Sequence, residues 1–113
     1  MKKYVAIFII ALAGLVGCSQ PVPNDKLDYV GEWKSPEMYL LILADGTVAY
    51  ERLKNGAKVS VNGPMKGFKG NDFEVGIGLF ATTFEVSQPP YFENGKWYMV
   101  VDGVKLKKSL EEL

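Results

Sequence analysis

The sequence predicts a small all-β domain, an antiparallel meander closed into a barrel or folded as a sandwich, with about seven or eight strands. Two observations predict it. Asp45-Gly46, Asn55-Gly56, Asn62-Gly63, Asn94-Gly95 and Asp102-Gly103 punctuate the chain, and such pairs suit tight hairpin turns because those turns need positive φ. Between them the apolar residues alternate with polar ones, the period of a half-buried strand.

The elements follow in order. Gly31-Glu32-Trp33 opens the first strand. Residues 38–43 are apolar on both faces and read as the most buried strand. Val48, Tyr50 and Arg52 alternate with Ala49, Glu51 and Leu53, and Val59 and Val61 alternate with Lys58 and Ser60. Residues 63–70 hold three glycines and read as a wide turn or bulge. Phe73, Val75 and Ile77 form the next strand, and Gly76, Gly78, Leu79 and Phe80 read as a bend. Phe80 to Val86 alternates, and Pro89-Pro90 marks a break. Trp97, Met99 and Val101, then Val104 and Leu106, give the last two strands. Residues 109–113 could form one helical turn, too short to stand alone.

The N-terminus follows another logic. Lys2 and Lys3 precede an apolar run from Tyr4 to Val16, shorter than the roughly 20 residues that span a bilayer as a helix. A basic start and a short apolar core are the parts of a secretory signal. The run ends in Leu15-Val16-Gly17-Cys18, which resembles a bacterial lipobox. That resemblance implies a diacylglyceryl group on the Cys18 thiol, cleavage after Gly17, and acylation of the new amine. Two or three chains on one cysteine make a durable anchor, since each buried CH₂ contributes about 0.8 kcal/mol. Acylation would also consume the only cysteine of the chain. Ala11-Leu12-Ala13 offers an ordinary signal-peptidase site as the alternative, and an uncleaved anchor is a further one. By resemblance to enterobacterial sorting, Ser19 rather than aspartate after the cysteine implies the periplasmic face of the outer membrane, in a cell with two membranes.

The expected organisation is a signal peptide over residues 1–17, an acylated cysteine and extended tether over 18–28, a β-barrel-like domain over 29–108, and a tail over 109–113. The tether rests on the polar composition of residues 19–28 and on Pro21 and Pro23. Removing 17 of the 113 residues leaves 96, a size that buries roughly 60–65% of its unfolded surface. One core fits in that, without a large internal site.

Composition argues against most chemistries. The chain has 13 basic and 13 acidic residues, and losing Lys2 and Lys3 leaves 11 against 13. That balance gives no electrostatic footprint for nucleic acid. Histidine is absent from the sequence, which removes the commonest general base and metal ligand. One cysteine allows neither an intrachain disulfide nor a cysteine metal cluster. The glycine-rich stretch at 63–70 leads into a strand, so no helix N-terminus follows to hold phosphate. Asp72 and Glu74 lie two apart on one face, without the spacing of a calcium loop. No catalytic residue, metal or cofactor is expected.

The aromatic residues are the remaining candidates. Most suit an ordinary β-domain core. Tyr91 and Phe92 stand out because they follow the proline pair, where large apolar groups have least structural reason to be. The start of the domain, Gly31-Glu32-Trp33, resembles a lipocalin-like barrel, in which such a tryptophan crosses the barrel floor. That resemblance makes Trp33 the candidate floor residue. A barrel this small is usually filled by its own side chains. The expected function is therefore a non-catalytic module that holds a protein or glycan partner at the envelope, with Trp33, Tyr91 and Phe92 as candidate contacts. Several lysozyme-inhibitor lipoproteins are β-barrels of similar size, though this chain lacks their cysteine pair. The alternative is a carrier of a small apolar ligand.

Overall fold

The computed structural model describes residues 20–77 and 79–109. The signal-peptide and lipobox readings, Cys18 included, and the tail beyond Ser109 lie outside the described residues.

Nine strands follow a short 3₁₀ helix, Asn24–Tyr29. They are β1 (Gly31–Lys34), β2 (Met38–Ile42), β3 (Thr47–Lys54), β4 (Ala57–Lys69), β5 (Asp72–Ile77), β6 (Phe80–Phe84), β7 (Val86–Glu93), β8 (Lys96–Val101) and β9 (Val104–Lys108). They form one antiparallel sheet in the order β6-β5-β4-β3-β2-β1-β9-β8-β7, curled into a half-barrel. The all-β antiparallel expectation holds, with nine strands.

The tight turns form where the Asn-Gly and Asp-Gly pairs demand them. Asn55, Asn94 and Asp102 and the glycine after each all take positive φ, the requirement of a type I′ turn. Asn62-Gly63 is the exception and a correction to the expected turn. Both residues lie inside β4, opposite Ala49 and Val48 of β3. A side chain at Gly63 would meet Val75 only at ordinary contact distance, so neither space nor backbone angle requires a glycine there. The expected turn or bulge at 63–70 is a strand with a register shift between Met65 and Gly67. Pro89-Pro90 likewise sits within β7, where the pairing with β8 shifts twice. Prolines are tolerated there because β7 is an edge strand.

The concave face holds the core. Trp33, Leu40, Ile42, Phe73, Met99, Val101 and Leu106 are fully buried, and complete burial of such a side chain contributes about 1.5–3 kcal/mol. Phe73 stacks on Phe84 with ring centroids 5.1 Å apart, and Phe84 meets Tyr50 edge-on at 4.8 Å.

The expectation of an unpacked tether through residue 28 is corrected. Val22 is buried, and its N–H donates to the Ala44 carbonyl at 3.0 Å. The 3₁₀ helix then lays Tyr29 against Phe68 and Phe73. The Tyr29 hydroxyl donates to the Asn71 carbonyl at 2.8 Å, and the Trp33 indole donates to the Tyr29 carbonyl at 2.9 Å. Val22 and Tyr29 supply the apolar burial that composition alone did not reveal. Gly46, with φ +95°, lets this segment pass, because any side chain there would strike the Gln20 carbonyl.

The meander gives the half-barrel two distinct ends. At the base lie the β2–β3, β4–β5 and β7–β8 turns and the incoming chain at Gln20. At the open end lie the β1–β2, β3–β4, β5–β6 and β8–β9 connections, because β9 runs antiparallel to β1, and β6 and β7 run in one direction through Glu85.

Candidate binding surface

Strand β7 brings the two aromatic candidates together with β8. Tyr91 and Phe92 are not in a break, as expected, but in strand register opposite Tyr98 and Trp97. Neighbouring residues of a strand point to opposite faces, so the hairpin carries one aromatic pair on each side. Tyr91 and Tyr98 lie 5.8 Å apart, with the Lys105 ammonium 4.5 Å from the Tyr98 ring. Phe92 and Trp97 meet edge-on at 5.5 Å. Tyr91 is half-buried, whereas Phe92 is 61% exposed.

Trp33 belongs to the interior. Its side chain is wholly buried, so it is out of reach of a surface partner. The Lys108 ammonium lies 4.9 Å from the Trp33 ring and 5.5 Å from the Trp97 ring, and donates to the Asp28 carbonyl at 3.0 Å. Burial lowers the Lys108 pKa. Lys108 thereby ties β9 to the 3₁₀ helix and links the core indole to the surface one.

The most exposed apolar groups are ones that strand periodicity does not single out. Ile77 is 67%, Leu79 99% and Phe80 88% exposed. Ile77 and Phe80 face each other at the end of the β5–β6 hairpin. They share the concave parity of Val75 and Phe84 but project past the core. The signal available in the sequence is Leu79-Phe80 beside a glycine, where a turn has no packing use for large side chains.

A cleft of about 330 Å³ opens beside the β1–β2 loop, lined in part by Lys34, Ser35, Glu37, Met38, Arg52 and Lys58. Its charges face one another: Arg52 lies 3.9 Å from Glu37, and Lys58 lies 3.4 Å from Glu51. Exposed pairs of this kind contribute about 0–1 kcal/mol. The Arg52 Nε is buried without a hydrogen-bond partner.

The carboxylates have structural duties. Asp72 accepts the Val86 N–H at 2.7 Å, and Asp102 accepts the Glu85 N–H at 2.9 Å. Asp45 accepts the Thr47 N–H, which holds its carboxyl below the usual range. Glu32 accepts the Tyr39 hydroxyl at 2.8 Å. That bond, helped by Lys34, holds the Glu32 carboxyl low. Burial first, and Glu32 second, push the Tyr39 phenol up to about 12. Burial and nearby Asp72 likewise raise Tyr29 to about 12. Among the described residues no three acidic, histidine or cysteine side chains gather as a metal site would require. Among the same residues no helix is long and apolar enough to cross a membrane.

No family model matches the chain, and no curated protein or solved structure is similar to it.

Proposed function

We propose that the protein is a non-catalytic interaction module, held at a bacterial envelope membrane through acyl chains on Cys18, that binds a protein or glycan partner through its exposed apolar side chains. The observation that carries this reading is the placement of the exposed apolar side chains. Ile77, Leu79 and Phe80 lie at the β5–β6 connection, toward the open end, while the chain enters at the base beside Gly46 and Phe92 is exposed on the β7–β8 hairpin at the entry side, paired with Trp97. An anchor at Cys18 is two residues from Gln20, so the base sits against the membrane and the open end points away. Apolar groups displayed on that side favour a partner that arrives from the aqueous side. The filled concave face, with Trp33, Leu40, Phe73 and Met99 wholly buried, favours surface binding over carriage of a ligand in a barrel.

The test has two parts. Labelled palmitate should enter the expressed full-length chain and not its Cys18→Ala variant; equal labelling would overturn the anchor. A photoreactive residue at position 92 should yield a defined adduct with an envelope protein or glycan. That adduct should disappear with Tyr91→Ser while the melting temperature stays within a few degrees. An adduct profile unchanged by the substitution would overturn the aromatic hairpin as the contact.

A further inference from the structure

We infer that the outer edge of β6 is a docking site for one extended strand of a partner polypeptide, which pairs backbone to backbone at Ala81 and Thr83. This deepens the interaction-module reading and rests on it.

The two edges of the sheet are unequal. β7 carries Pro89 and Pro90, which lack N–H donors, and its register shifts twice. Both features blunt an edge against further pairing. β6 has neither. It reads Phe-Ala-Thr-Thr-Phe, uncharged and without proline, and pairs with β5 in unbroken register from Phe84 to Phe80. Phe80, Ala81, Thr82 and Thr83 are exposed on both faces.

Register fixes which groups are free. Two residues separate Ile77 from Phe80, and residues flanking such a loop exchange both backbone bonds. Phe80, Thr82 and Phe84 therefore bond to β5, while Ala81, Thr83 and Glu85 turn their N–H and C=O outward. Glu85 bears this out. Its N–H donates to the Asp102 carboxylate at 2.9 Å, and its carbonyl accepts the Asp102 N–H at 2.8 Å. Asp102 thus occupies the base end of the edge, and the same row of groups continues open at Thr83 and Ala81. Above Asp102 the half-barrel stands one strand short. An incoming strand would set alternate residues against Phe80 and Thr82 on the concave side, and the others against Ala81 and Thr83 on the convex side.

The anchor decides between occupants. A second copy pairing through β6 about a two-fold axis runs antiparallel, which turns the two bases to opposite ends. Chains held two residues from one membrane cannot adopt that arrangement. An extended segment of a different polypeptide, approaching the open end, has no such constraint, and main-chain pairing of this kind is an established mode of peptide recognition.

The experiment is amide hydrogen exchange by NMR on residues 19–113, alone and with a blocked peptide alternating threonine and valine between terminal lysines. In the free protein the Thr82 and Phe84 amides should be protected, with Ala81 and Thr83 exchanging as open groups. Saturating peptide should slow Ala81 and Thr83 by about tenfold or more, and the same peptide N-methylated on alternate residues should not. Thr83→Pro, which removes an outward donor, and Thr82→Lys, which adds an edge charge, should each abolish the effect. Retention of the remaining protected amides shows that the variants fold. Protected Ala81 and Thr83 in the free monomer, no slowing with peptide, or slowing that follows protein concentration alone as copies pair, would each overturn the inference. Phe92 and Tyr91 lie on another strand, so loss of the β6 effect with retained crosslinking at position 92 separates this site from the broader reading.

Discussion

At the scale of single residues, side chains that are not fully buried set the chemistry of this fold. Glu32 and Tyr39 face each other across β1 and β2, and their hydrogen bond lowers the carboxyl and raises the phenol. A carboxylate with a depressed folded pKa contributes stability that is complete above its unfolded value and is lost as pH falls through the folded one. The phenol contributes in the opposite sense, with stability complete below its unfolded value near 10 and lost as pH rises toward about 12. Tyr39→Phe should therefore move the Glu32 titration up toward the ordinary carboxylate range, followed by carbon-13 NMR of its side chain. The stability lost through the variant should be greatest at neutral pH and shrink on acidification. An unmoved Glu32 titration would show that Lys34 and Ser109 set it. Little of this pair was legible in the sequence, because it needs the register of β1 on β2. Trp33 was expected both on a barrel floor, by the lipocalin-like resemblance, and as a contact; it is wholly buried, and its ammonium neighbour, Lys108, lies 75 positions away.

At the scale of elements, turns were legible wherever backbone chemistry is local. Asn55-Gly56, Asn94-Gly95 and Asp102-Gly103 need no tertiary information to turn. Asn62-Gly63 has the same letters, but pairing with Ala49 and Val48 of β3 overrides the local preference and carries β4 on through them. The proline pair misled for a related reason: proline breaks an interior strand, and only the sheet order shows that β7 is an edge. The prolines then have a positive role, as guards of that edge. Pro89→Thr combined with Pro90→Thr should restore donors on β7 and raise self-association, seen as concentration-dependent light scattering without loss of the folded near-ultraviolet dichroism. If scattering stays at the wild-type level, the bulges alone guard the edge.

At the scale of the whole molecule, the meander turns a linear fact into a directional one. The chain enters at the base and alternate strands run up and down, so the apolar β5–β6 hairpin ends on the far side and the aromatic β7–β8 hairpin on the entry side. The 8 residues of β3 set the scale of separation between the ends, about 3.3 Å per residue or roughly 25 Å. The sequence reading placed ten tether residues before the domain, which would let it tumble at the surface. Packing of Val22 and Tyr29, with Gln20 against Gly46, brings the described chain onto the base from its first residues and restricts that tumbling. With the acylated chain in bilayers containing a spin-labelled lipid headgroup, broadening of amide signals should be strongest around Ala44 to Gly46. It should be weakest at Leu79 and Asn55, where the distance from the headgroups is greatest. Strong broadening at Leu79 and Phe80 would mean that the exposed hairpin dips into the same bilayer, and those apolar groups would then be a second membrane contact rather than a face offered to a partner.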